Sequence, residues 1–173
     1  GCDDQGKCGI TLDNPDDGAG GVVELGADSI GVRGSEVSAV GFGAGPSARL
    51  DLEGEAISFD GGSLVFTRSF GGGAGGDIDV RAEALTLRSG AVLATVTDGG
   101  GNGGQLRVDV DQRMRVDAAR VTSLSFGSGT AGDLSIAAGE LAVARNGLID
   151  TRALDSGALG TVAFDIATQL RLH

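Results

Sequence analysis

The chain contains no tryptophan or tyrosine, and only six phenylalanines, two prolines, two cysteines, one methionine and one histidine among its 173 residues. Each scarcity removes a class of explanation. Without Trp or Tyr, the usual aromatic platform for stacking sugars is missing. The two thiols Cys2 and Cys8 make half of a structural zinc site, and His173 lies at the far end of the chain. No apolar run approaches the ~20 residues of a membrane-spanning helix, and no charged-then-apolar leader of the secretory type is present. Met114 is the only methionine, so the sequence reads as an excised or processed piece of a longer chain. Basic residues are also few. Thirteen against 24 acidic residues give a net charge of -11, which repels nucleic acid and anionic membranes.

What the chain has in quantity is glycine, 33 residues, beside a hydrophobic content of 40%. Composition alone would suit disorder, but the hydrophobic residues are strictly periodic, and periodicity decides. Segments 75–102, 103–130 and 131–158 align without a gap; 19–46 and 47–74 extend the series upstream, with partial units at 1–18 and 159–173. An uninterrupted repeat of 28 residues leaves no place for a boundary, so residues 1–173 read as a single domain.

Within each unit the apolar residues alternate in short runs, the period of a strand. The first run reads Ile78, Val80 and Ala82, then Leu106, Val108 and Val110, then Leu134, Ile136 and Ala138. The second supplies Leu85 and Leu87, Met114 and Val116, Leu141 and Val143, with the middle copy one residue late, a slip that calls for a β-bulge. The third follows a small-residue corner at Gly90 and gives Leu93 and Thr95, Val121 and Ser123, Ile149 and Thr151. The predicted fold is all-β, a parallel β-helix (solenoid) of about six coils of 28 residues with three short strands per coil. Coils ~4.8 Å apart make a rod on the order of 30 Å long. Ile78, Leu106, Leu134 and Val162 should form one inward ladder. The preference of parallel crossovers favours a right-handed path. A helical solenoid is excluded because Gly costs about 1 kcal/mol against Ala in a helix interior. Glycine tracts at 71–73 and 99–101 mark a corner that needs positive φ or close backbone approach.

The stretch from Gly127 to Thr151, a glycine corner followed by Gly132-Asp133-Leu134-Ser135-Ile136 and closing on Gly147-Leu148-Ile149-Asp150-Thr151, recurs at 72–95 and 100–123. It resembles the repeats of filamentous haemagglutinin-like exoproteins of two-partner secretion systems, the cyanobacterial versions above all. The resemblance implies a right-handed parallel β-helix that is extracellular or at the cell surface, a structural or adhesive segment without enzymatic activity or cofactor. The partners it implies are copies stacked end to end or the neighbouring β-helix of a longer parent chain, and a surface receptor or carbohydrate, with no nucleic acid and no membrane insertion. The family's secretion domain carries an Asn-Pro-Asn-Gly-type motif that Asn14-Pro15-Asp16 does not match. In the compartment so implied, Cys2 and Cys8 are expected to be joined as a disulfide across the N-terminal coil, with two free thiols as the alternative.

Other motifs have bland and sharp readings. Gly72 to Asp77 matches the start of the calcium-binding nonapeptide of β-roll proteins, but the equivalent acid one unit later is Gln105, so a plain glycine corner is expected. Asp13, Asp16 and Asp17 read as an acidic solvated turn. Thr11, Thr67, Thr95, Ser123 and Thr151 share one repeat position, interrupted by Ala39. They follow an inward apolar residue by two, which predicts an internal hydroxyl file bonded between coils. An outward file would instead suit ice binding. Phe42, Phe70 and Phe126, with Leu154, form a second file expected to pack into the core at a corner. Asp77, Asp79, Asp109 and Asp133 are scattered carboxylates without the inserted loops from which β-helical polysaccharide lyases build their clefts. A carbohydrate-active enzyme is therefore the alternative to the structural reading, and an ice-binding solenoid comes third.

Overall fold

The computed structural model describes residues 9–14 and 20–173. The first coils contribute β1 (Gly9–Asn14), β2 (Val22–Gly26), β3 (Ser29–Arg33), β4 (Glu36–Gly41), β5 (Arg49–Asp60) and β6 (Leu64–Ser69). There follow β7 (Ile78–Arg88), β8 (Val92–Thr97), β9 (Leu106–Asp117), β10 (Arg120–Ser125), β11 (Leu134–Ala144), β12 (Leu148–Ala153) and β13 (Val162–Leu172). Two wholly parallel sheets result, one in the order β1-β4-β6-β8-β10-β12 and one in the order β13-β11-β9-β7-β5-β2, with β3 also on β5. The protein is a β-solenoid of about six turns of ~28 residues.

Coil-to-coil register follows the repeat. Val65 pairs with Leu93, Leu93 with Val121, and Val121 with Ile149. In the larger sheet Ile78 pairs with Leu106, Leu106 with Leu134, and Leu134 with Val162. The first three of this ladder are 0% exposed and Val162 is partly buried against the same core. A buried Leu or Ile stabilises by about 1.5–3 kcal/mol over its exposed counterpart, so these repeating files are the main cohesive force of the rod.

Two features depart from three separate strands per coil. From β5 onward the first two runs are joined in one strand of 11 or 12 residues, because the link between them, such as Arg81 to Ala84, holds no corner residue. Only in coil 19–46 does Gly26-Ala27-Asp28 separate them, into β2 and β3. The expected bulge is present: Ala82 pairs with Val110 but Ala84 with Arg113. Its extra residue is recovered at the next corner. Coils with regular spacing turn there on two residues of positive φ, Ser89-Gly90 or Arg145-Asn146, and the bulged coil turns on Ala118 alone.

The glycine tracts serve the other requirement, close approach. A Cβ on Gly101 would lie 1.9 Å from the Gly73 carbonyl oxygen, and one on Gly129 would lie 1.9 Å from that of Gly101. Backbone stacks directly on backbone along this corner, and no larger residue fits.

Candidate functional surfaces

The interior holds the expected hydroxyl file. Thr67, Thr95 and Ser123 are 0–1% exposed and Thr151 is partly buried. Their partners differ from expectation. The Thr67 hydroxyl donates to the Gly76 carbonyl at 2.5 Å and Thr151 donates to that of Gly160 at 3.0 Å, both in the glycine return of the chain nine residues on. Thr95 Oγ1 and Ser123 Oγ have no hydrogen-bond partner. Thr11 leaves the file, since β1 pairs with β4 at an offset of 27: Thr11 lies opposite Ser38, and Leu12 opposite Ala39. A second buried file, Ser69, Thr97 and Ser125, was not anticipated, although it recurs two residues beyond the first. Ser69 and Ser125 donate to the carbonyls of Gly73 and Gly129 at 3.3 and 2.9 Å. Both files thus fasten the glycine corner to the shorter strands.

The phenylalanine file faces outward, contrary to the core packing expected of it. Phe42, Phe70, Phe126 and Leu154 are 51%, 42%, 45% and 61% exposed. The alternation of β6 explains this: Val65, Thr67 and Ser69 are turned inward, so Phe66, Arg68 and Phe70 are turned out. The rings of Phe42 and Phe70 stack on each other at 5.2 Å with 10° between planes, and the Arg68 guanidinium lies 4.3 Å from the Phe70 centroid. Stacked along the rod, these two rings offer edges rather than faces to solvent.

These residues border a broad apolar face, the outer side of the six-stranded sheet. One outward file reads Glu36, Leu64, Val92, Arg120 and Leu148. The next reads Ser38, Phe66, Ala94, Thr122 and Asp150, and a third Val40, Arg68, Val96, Leu124 and Arg152. Charge on the face is largely paired within it. Arg68 grips Asp98 with contacts of 2.6 and 3.1 Å, and Arg152 bonds Asp150. Ala94 and Thr122 are 3% and 0% exposed yet stand outside the core cluster, so the larger side chains beside them keep water off the middle of the face.

The outer side of the seven-stranded sheet is built from charge. Asp79, 4% exposed, accepts Arg49 at 2.6 Å from one coil and Arg107 at 3.5 Å from the next. Asp117, 2% exposed, holds both Arg145 and Arg115. Arg145, then Arg115, keeps the Asp117 carboxyl well below the usual carboxylate range. Burial works against the charge of Asp60, but Ser89, the Gly61 amide and Arg88 outweigh it and lower its pKa. The sequence carried a signal for this file that went unread: Arg33, Asp60, Arg88 and Asp117 alternate in sign at one repeat position.

Where the first and second runs meet, this side is hollowed into an open groove of about 800 Å³ bordered by Glu24, Asp51, Glu53, Glu83 and Asp111, with Arg81 among them. The scattered carboxylates named from the sequence are not gathered there. Asp77 and Asp133 each accept a backbone N–H from the following coil, of Gln105 and Thr161, at 2.7 Å. Asp79 is tied up as above, and Asp109 is exposed. Asp77, first acid of the calcium-like motif, therefore clamps one coil to the next. Among the described residues no group of three or more His, Cys, Asp or Glu side chains is placed to hold a metal ion. Cys2, Cys8, Asp16 and Asp17 lie outside the described residues. Compared with known proteins, the chain matches no family model, no curated protein and no solved structure.

Proposed function

We propose that the chain is a structural and adhesive rod, a segment of a secreted or cell-surface exoprotein of the filamentous haemagglutinin-like kind. The observation that carries this reading is the uninterrupted coil-to-coil pairing: from β4 to β12 each strand of the smaller sheet hydrogen-bonds to the next, and no inserted loop rises from the described corners. Such a scaffold spends its sequence on length and on two long side faces rather than on a pocket. End-to-end partners, either further copies or the next coils of a longer parent chain, would cover Phe164 and Leu172, which are 48% and 71% exposed on the last coil. The test is adhesion and location together. Beads coated with the protein should adhere to cells or to polysaccharide-coated surfaces, and antibody should find the native protein outside the cell. Adhesion no better than that of an unrelated acidic protein, or a strictly intracellular location, overturns the proposal.

The acidic groove favours a second reading, a carbohydrate-active enzyme, because an open trough along a solenoid suits an extended polymer. Assays for reducing ends and for unsaturated uronates over a panel of polysaccharides decide it. Turnover that disappears in Glu53→Gln would replace the structural reading with the enzymatic one.

A further inference from the structure

We infer that the outer face of the six-stranded sheet is a self-association surface, on which two copies of this chain pack face to face. The inference stands apart from the adhesive reading and from end-to-end stacking, since it concerns the side of the rod.

Charge selects the occupant. The chain as a whole carries -11, so approach of two copies is opposed nearly everywhere. From β4 to β12 the outward positions of this sheet carry Arg68, Arg120 and Arg152 against Glu36, Asp98 and Asp150, a net of zero (3 - 3). It is the one broad side on which a second copy meets no repulsion, and its aliphatic and phenyl groups reward the contact.

Size permits it. Outward residues recur every ~6.8 Å along a strand and strands every ~4.8 Å, so four files over five strands cover about 27 Å by 24 Å. Roughly 650 Å² per copy, about 1,300 Å² for a pair, lies within the range of specific interfaces. Flat parallel sheets pack in this way at ~10 Å separation.

The pattern is also self-complementary. A two-fold axis along the rod, midway between the second and third files, brings each row onto its own reverse. Leu64 then meets Phe70 of the second copy, Leu148 meets Leu154, Ala94 meets Val96, and Asp150 meets Arg152. Phe66 meets Arg68, a pairing of ring and guanidinium that the face already makes once between Arg68 and Phe70.

Sedimentation of the 173-residue chain over a concentration series is the test, with Val96→Asp as the face variant and Ser58→Asp, exposed on the other sheet, as the control. A monomer–dimer equilibrium is expected. It should tighten as salt screens the net charge, weaken about tenfold or more in Val96→Asp, and remain as in the parent in Ser58→Asp. Circular dichroism and the unfolding midpoint show that Val96→Asp still folds; if it does not, Val96→Lys takes its place. Unlimited stacking that ignores Val96→Asp would assign association to the ends. A monomer at every concentration, or a dimer equally weakened by the control, overturns the inference.

Discussion

The two sheets share one interior and differ in what they show to water. Inward, both present the same repeating apolar and hydroxyl files, 28 residues apart and almost free of exposure in the middle coils. Outward, the seven-stranded sheet shows interlocked Asp and Arg, and the six-stranded sheet shows Leu, Val and Phe with its few charges paired in place. A solenoid needs only its inner files to fold, so the outer files are free to differ. Charge on one side keeps copies apart and in solution, while the apolar side is the one equipped for contact.

The largest effects should come from the shared interior. Leu106→Ala, at the centre of the longest ladder, is expected to cost about 2–5 kcal/mol in denaturant unfolding, whereas Val96→Ala on the apolar face should stay within ~0.5 kcal/mol. Equal losses at both sites would mean that the apolar face is covered within the chain and is not a surface. Gly101→Ala should follow, at about 1–3 kcal/mol, since its methyl group has to push against the Gly73 carbonyl.

Much of this division was legible in advance, and the failures are instructive. Ile78, Leu106 and Leu134 could be placed because inward residues obey a period of two along the strand and a period of 28 along the chain. Phe42, Phe70 and Phe126 were misplaced inward because large apolar residues were assumed to be core, when the alternation through Thr67 and Ser69 already turned them out. Thr11 was misassigned because one residue fewer separates β1 from β4 than the repeat dictates. The Asp60 and Asp117 clamps were missed because charged residues at the strand ends were not compared across coils. The acidic groove depends on how the long strands bend, which no residue pattern announces.

The charged side should respond to pH where the apolar side does not. Asp117 and Asp60 have lowered folded-state pKa values, Asp117 through Arg145 and Arg115, and Asp60 through Ser89, Gly61 and Arg88 against the opposing effect of burial. Their stabilisation is present above the ordinary value of about 4 and is lost as pH falls through the folded-state values. Unfolding midpoints measured from neutral to strongly acid pH should therefore fall on the acid side, and fall less steeply in Asp117→Asn. An unchanged acid limb in that variant would remove Asp117 from the account of stability.

The smallest contrast lies within the hydroxyl file. Thr67→Val breaks the bond to the Gly76 carbonyl and should cost about 1–2 kcal/mol. Thr95→Val removes a buried hydroxyl that has no partner and should be neutral or stabilising. Thermal unfolding of the two variants side by side checks the difference, and a reversed order would mean that the hydroxyls are fastened differently.

Hydroxyl-radical footprinting at rising protein concentration tests most directly which side of the rod makes contact, because phenylalanine supplies built-in reporters. Phe42, Phe70 and Phe126 stand on the apolar side, and Phe164 is exposed at an inward position of the last coil, paired beside Ile136. Oxidation of Phe42, Phe70 and Phe126 should fall as concentration rises while that of Phe164 holds. Protection of Phe164 alone, or of none of the four, would contradict the assignment of the apolar sheet as the surface by which copies of this protein meet.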